Sequence, residues 1–253
     1  MCLLYFVISQ VEKQVLIMSI SIKNLTKIYG EQKALDNINI EIEQGQVVGL
    51  LGPNGAGKST MMKILTCFIP PTEGEVKVCG YDIFDDPMQV RASIGYLPEQ
   101  NPLYYDMYVR EFLMFIAGIH KIDKKIRKQR VEEMIELTGI SKEVNKKISM
   151  LSKGYKQRVG IAQALIHDPK VLILDEPTTG LDPNQLVEVR ELIKKVGQTK
   201  TVLLSTHIMQ EVEAVCSRVI IINNGKLVAD DETKHLAAGE NLEKIFRQIT
   251  LER

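Results

Sequence analysis

The stretch Gln46-Val47-Val48-Gly49-Leu50-Leu51-Gly52-Pro53-Asn54-Gly55-Ala56-Gly57-Lys58-Ser59-Thr60 decides how this chain is read. Its first six residues are almost wholly apolar, which predicts a strand covered on both faces, as in a parallel sheet. The next eight match G-x-x-x-x-G-K-[ST]. Glycines at 52, 55 and 57 let the backbone of the loop Gly52–Thr60 curl so that successive N–H groups converge on phosphate oxygens, at the head of a predicted helix over 58–67. Lys58 adds a full charge. At ~4 Å and an effective dielectric of about 20 that is on the order of 4 kcal/mol, against about 0.3–2 kcal/mol for the helix dipole. Lys58 therefore sets affinity and the loop sets geometry. Ser59 suits a phosphate-bound Mg²⁺, and Thr60 a further phosphate hydrogen bond.

The second anchor lies at Val171-Leu-Ile-Leu-Asp175-Glu176. An apolar strand that ends in carboxylates delivers them to the carboxyl edge of the sheet, where ligands of α/β folds sit. Neighbouring strand residues diverge, so the two carboxylates take different tasks. Asp175 suits the metal shell, and Glu176 suits an attacking water as general base or orienting group.

Around these anchors the chain alternates strand and helix. Ser19–Asn24 and Asp36–Glu43 show the period-two pattern of a half-buried antiparallel sheet. Short strands follow at Glu75–Val78 and Ile94–Leu97. Between 101 and 168 the texture becomes helical, with amphipathic segments at 111–118 and 124–137. The α/β rhythm then returns: helix 183–196, strand 200–205, helix 209–216, strand 219–222, and a hairpin at Gly225 into 227–229. The expected fold is α/β, a P-loop core with an antiparallel β subdomain and a helical insertion. The expected boundaries are an extension over 1–17, the main domain over 18–234 with its helical part at about 101–168, and a helical tail over 235–253. Residues 1–17 read as a dispensable or mis-assigned upstream extension, because a good strand pattern begins only at Met18.

Composition narrows the options. The 253 residues carry 32 Lys+Arg and 32 Asp+Glu, a formal net charge of zero. A dedicated nucleic-acid binder usually shows a basic excess, so no nucleic-acid partner is expected. A chain of this length buries roughly 70–75% of its unfolded surface and needs no covalent staple. The four cysteines contain no CxxC pair, which fits neither a disulfide framework nor a zinc site. No run approaches the ~18 apolar residues of a membrane span.

One more segment, Leu151-Ser152-Lys153-Gly154-Tyr155-Lys-Gln-Arg158, opens a predicted helix. With it the chain resembles the ATP-binding subunits of ABC transporters over about residues 19–230, because six motifs stand in family order. These are Tyr29 before a glycine, the phosphate loop, Gln100, the 151–155 signature, the Asp175-Glu176 strand and His207. Pro177-Thr-Thr-Gly-Leu-Asp182 looks like the family's D-loop.

The resemblance implies roles for each. Tyr29 stacks on adenine, or is an ordinary hairpin tyrosine. Gln100 touches Mg²⁺ and the water, or is a plain turn residue. His207 hydrogen-bonds the γ-phosphate. Ser152 and Gly154 face the γ-phosphate of a second, head-to-tail subunit. Asp182 acts across that interface, or simply caps the helix before Pro183. Lys153 and Tyr155 depart from the usual Leu-Ser-Gly-Gly-Gln; a lysine is compatible with a polyphosphate, whereas the tyrosine puts a ribose-side contact in question. The apolar, aromatic segment 103–112 matches the region where the family receives a coupling helix, or packs into the core, and both can hold along one helix. The implied activity is ATP hydrolysis with ATP and Mg²⁺, at the inner face of the cell membrane, powering a separate integral membrane permease. The motif wording resembles the ABC-2 exporter branch, including subunits associated with gliding motility. The rival reading is a soluble non-transport ABC ATPase, an assembly scaffold or ribosome-associated factor.

Overall fold

The computed structural model describes residues 18–236 and Phe246. The expected extension over 1–17 and nearly all of the expected tail lie outside the described residues. Long strands β1 (Met18–Tyr29) and β2 (Gln32–Glu43) form a hairpin, with Gly30 at φ +58° in its turn. Strand β3 (Val47–Leu51) leads through the phosphate loop into helix α1 (Lys58–Leu65). Then come β4 (Glu73–Val78), β5 (Tyr81–Asp82), helix α2 (Pro87–Ser93) and β6 (Ile94–Leu97). Three helices follow consecutively: α3 (Val109–Ile119), α4 (Lys124–Leu137) and α5 (Lys153–Leu165). The chain closes with β7 (Val171–Asp175), α6 (Pro183–Gly197), β8 (Thr201–Thr206), α7 (Met209–Val215), β9 (Arg218–Asn223), β10 (Lys226–Glu232) and α8 (Thr233–Leu236).

The strands divide into two sheets, β2-β1-β4-β5 and β10-β9-β3-β8-β7-β6. The first is antiparallel; in the second only the edge strand β10 is antiparallel. The unbroken apolar runs of the second sheet follow from its two covered faces. Leu51, Leu172, Leu174, Val202, Leu204, Val219 and Ile221 enter the core shared with α3–α7. Val48, Leu50, Val171, Ile173, Leu203, Ile220 and Ile222 enter the core beneath β1, β2, β4 and α1. Alternate residues of one strand thus serve two cores, which requires apolar side chains at every position.

Strands β1 and β2 run longer than their alternation predicts, because β1 passes through register shifts near Asn24 (φ +51°) that disturb the pattern. The short elements β5 and α2 have too few residues to show a period. In the basic stretch 121–130, Arg130 donates to the carbonyls of Leu165 (2.8 Å) and Ile166 (2.9 Å), closing the carboxyl end of α5. A parallel sheet places the carboxyl ends of β3, β6, β7 and β8 along one edge, and the functional side chains gather there.

Candidate functional site

The loop between β3 and α1 is shaped by backbone crowding. Gly57 sits at φ +111° as the cap of α1, and a Cβ there would stand 2.5 Å from the Ala34 carbonyl. A Cβ at Gly52 would collide with the Ile222 carbonyl, so this first turn of the loop passes against β9. Only glycine fits either place without strain. Lys58 folds back over the loop, donating from Nζ to the carbonyls of Gly52 (2.8 Å) and Pro53 (3.2 Å). Burial holds its ammonium below the usual lysine range, while Glu176, Asp175 and Glu99 pull the other way.

The loop borders a cavity of about 670 Å³. Asn54 to Thr60 form one wall, Tyr29, Gln32 and Ala34 another, and Glu99, Glu176, Thr179 and His207 the far side. A volume of this size accommodates a nucleotide-sized ligand. Tyr29 is about half exposed, with Lys27 Nζ 5.1 Å from its ring centroid.

At the end of β7, Asp175 is buried and its Oδ1 accepts the hydroxyl of Ser205 at 2.5 Å. The Ser59 hydroxyl reaches the same oxygen at 3.5 Å. Glu176 has left the strand, with φ +50°, which turns its carboxylate into the cavity. There the carboxylate accepts from Thr179 Oγ1 (3.0 Å) and from His207 Nδ1 (3.0 Å to each oxygen). Its backbone N–H donates to Ser205 Oγ at 3.1 Å. One buried hydroxyl therefore ties both acids to β8. Beneath them, burial pushes the Tyr96 phenol up to about 12, with Asp175 and Glu99 adding to the effect.

Tyr29, Asn54 to Thr60, Glu176 and His207 thus border one cavity, with Asp175 meeting Ser59 beside it. Gln100 is not among them. It is exposed, and its neighbour Glu99 lines the cavity instead. The residue after a strand end is aimed by the turn that follows, which adjacency in sequence does not reveal. In this structure the cavity wall next to β6 is thus formed by Glu99, with Gln100 beside it at the surface. Ser152, Gly154 and Asp182 stand together elsewhere, at the amino ends of α5 and α6. Asp182 caps α6, accepting from the N–H groups of Asn184 and Gln185 (3.0 Å each). Ser152 caps α5, accepting from Tyr155 N–H at 3.4 Å.

Residues not singled out from sequence include Gln32, Ala34, Thr179 and Ser205. Ser205 carried a usable signal, a polar residue directly after the apolar run Val202–Leu204. The oxygen donors Ser59 and Asp175, with Glu99 nearby, are the hard ligands that Mg²⁺ prefers, and their convergence at 3.5 Å fits such an ion.

Comparison with known proteins agrees with this geometry. Residues 35–179 match the family described as ABC transporter. The bacitracin transport ATP-binding protein BcrA of Bacillus licheniformis is 40% identical over 218 residues, covering 84% of this chain and 69% of that protein. The daunorubicin resistance ATP-binding protein DrrA3 of Streptomyces coeruleorubidus is 32% identical over 234 residues, covering 91% and 74%. Among solved structures, a dimeric ATP-binding cassette in a post-hydrolysis state with ADP and Pi superposes with a TM-score of 0.76 at 30% identity, covering 84% of this chain and 98% of that one. A subunit of the cbiONQ transporter complex from Clostridium perfringens superposes at 0.81 with 30% identity, covering 93% and 95%. The phosphate loop with its buried lysine, the paired acids at the end of β7 and these likenesses lead to one conclusion: the chain belongs to the ABC transporter family and is one of its ATP-binding, ATP-hydrolysing cassettes.

Proposed function

We propose that this chain powers an ABC exporter of the ABC-2 kind, with two copies closing head to tail over ATP and Mg²⁺ beneath a separate integral membrane permease. In this reading Lys58 and the N–H groups of Asn54 to Thr60 hold the β- and γ-phosphates, and Tyr29 stacks on adenine. Ser59 and Asp175 hold the metal, which when bound screens phosphate charge, and Glu99 faces it. Glu176 orients and deprotonates the attacking water. His207 guards the γ-phosphate, and its present partner is Glu176. Ser152 and Gly154 face the second copy's triphosphate, with Asp182 at the same seam.

The observation that carries this reading is the placement of Glu176. Its carboxylate lies in the cavity wall between Thr179 and His207, one residue beyond the acid that meets Ser59. A general base must be within reach of the proton it takes, and this one opens onto the space beside the phosphate loop.

A permease contact is supported by the apolar surface of the helical region. Tyr104, Tyr105, Tyr108, Phe115 and Met150 are exposed there, beside a groove lined by Tyr108, Met114 and Val144 together with the polar Arg110, Glu111 and Asn145. Among the described residues, no helix is long and apolar enough to cross a membrane. In this reading the chain works as a peripheral subunit at the inner face, held there by the permease. The names of the relatives, for bacitracin transport and daunorubicin resistance, favour export over a soluble scaffold.

Glu176→Gln tests the assignment. It keeps a hydrogen-bonding side chain of the same shape but removes the base. ATP binding should persist, turnover should fall by about 10²–10⁴-fold, and an ATP-bound dimer should accumulate on gel filtration. Turnover at the wild-type rate would remove Glu176 from the mechanism.

A further inference from the structure

The signature segment carries a contact that its motif does not specify. Gln185, in the first turn of α6, lays its carboxamide across the start of α5. Gly154 N–H donates to Gln185 Oε1 at 3.1 Å, and Gln185 Nε2 donates to Ser152 Oγ at 3.2 Å. The orientation of the amide follows from its partners, since only its oxygen can face a backbone N–H. A Cβ at position 154 would stand 2.5 Å from Gln185 Oε1, so glycine is required here for this side chain to lie down.

The donor count at Ser152 is the consequence. A hydroxyl has two acceptor lone pairs and one proton. Both lone pairs are taken, by Gln185 Nε2 and by the N–H of Tyr155. The proton is the only hydrogen-bonding capacity left on an exposed residue, so Ser152 is set as a donor. The Gly154 N–H is buried and already used. Two further contacts hold α5 to the segment that precedes and forms α6. A Cβ at Gly180 would run into the Lys153 ammonium, so that side chain lies along the D-loop. Arg158 donates to Glu188 at 2.8 Å.

We propose that Gln185 is a positioning residue for ATP hydrolysis: it turns the Ser152 hydroxyl outward as the donor that this copy offers to the triphosphate held by a second copy. The inference rests on the two-copy reading above and deepens it. Gln185 does not line the phosphate-loop cavity, so its effect is confined to the step in which two copies meet.

The test compares Gln185→Leu, Gln185→Glu, Ser152→Ala and the double variant Gln185→Leu/Ser152→Ala. Dimer formation is followed against ATP–Mg²⁺ by sedimentation in the Glu176→Gln background, and kcat and KM are measured in the parent chain. Gln185→Leu should raise the ATP needed for dimerisation about tenfold, as expected for one hydrogen bond to a charged group. Binding of ATP to isolated copies, measured at protein concentrations too low to dimerise, should be retained. Ser152→Ala should cost about as much, and the double variant no more than either alone. Gln185→Glu cannot donate to Ser152 and instead takes its proton, so it should lose more than Gln185→Leu. Equal or easier dimerisation by Gln185→Leu would overturn the proposal, because Gln185 would then be only a cover to be displaced. Multiplying losses in the double variant would also overturn it, because Gln185 would then act independently of Ser152. If the Glu176→Gln chain itself stays monomeric with ATP and Ser152→Ala changes nothing, the two-copy reading fails first and takes this inference with it.

Discussion

Ser205 donates its hydroxyl to Asp175 at 2.5 Å across the β7–β8 pair, where the two residues stand in register. The same oxygen accepts the Glu176 N–H, so one side chain orients one acid and anchors the backbone of the next. Ser205→Ala leaves a buried carboxylate without its short partner. Hydrogen bonds to charged groups contribute about 1.5–3 kcal/mol. A loss of that size should appear in urea unfolding, together with a higher Mg²⁺ requirement for ATP turnover. Unchanged unfolding and unchanged Mg²⁺ dependence would mean that Ser205 is not what holds Asp175.

Glu99 and Gln100 are adjacent, and only Glu99 borders the cavity and acts on Lys58. Glu99→Ala removes a carboxylate that faces the metal and should lower kcat by roughly tenfold, the effect of about 1.4 kcal/mol in the barrier. Gln100→Ala should change ATPase activity less than about twofold, as is usual for exposed residues away from the chemistry. Steady-state kinetics of the pair decides between them; the reverse ranking would give the larger role to Gln100.

His167 and His120 stack with ring centroids 4.0 Å apart, and His167 Nε2 bonds the Ile94 carbonyl at 3.0 Å. Burial first, then the neighbouring His120, holds the His167 ring down to about 4, with Arg130 and Lys200 acting in the same direction and the Ile94 bond opposing. Asp168 pairs with both of those cations and faces the same cluster. The unfolded chain, with an ordinary histidine value, binds the proton first. Stability is therefore fully present above about pH 6.5 and is lost as pH falls toward 4. After allowance for partial exposure the loss is about 2 kcal/mol. His167→Asn should flatten the slope of urea-unfolding free energy between pH 7 and 4.5. An unaltered slope would place the acid sensitivity elsewhere.

Tyr155, one departure from the usual signature, lies with its ring 4.3 Å from the Arg158 guanidinium carbon, and Arg158 pairs with Glu188. Tyr155→Gln should cost about 0.5–1 kcal/mol of stability through the lost cation–π contact. ATPase activity should change by less than about fivefold, since Ser152 and its two donors remain. A large gain in turnover would show that the tyrosine weakens the natural site.

Much of the molecule was legible from local pattern. The doubly covered strands, the phosphate loop and the Asp175-Glu176 pair each carry their chemistry within a few consecutive residues, and each lies where expected. His207 and Tyr29 were reached through motif order, and both border the cavity. The choice between Glu99 and Gln100 was not legible, because the turn after β6 decides which side chain faces inward.

By itself the amino-acid sequence determined the class of fold and the phosphate-binding chemistry. Hydrophobic periodicity selects sheet or helix, and a glycine-rich turn before a lysine can close around little else than an anion. Tertiary structure alone decided which partners hold that chemistry in place. Ser205 meets Asp175 because β8 pairs with β7, Gln185 meets Ser152 because α6 packs against α5, and Arg130 closes α5 from α4. These bonds join residues far apart in the chain, and no local pattern encodes a hydrogen bond whose two ends are brought together only by burial of the core.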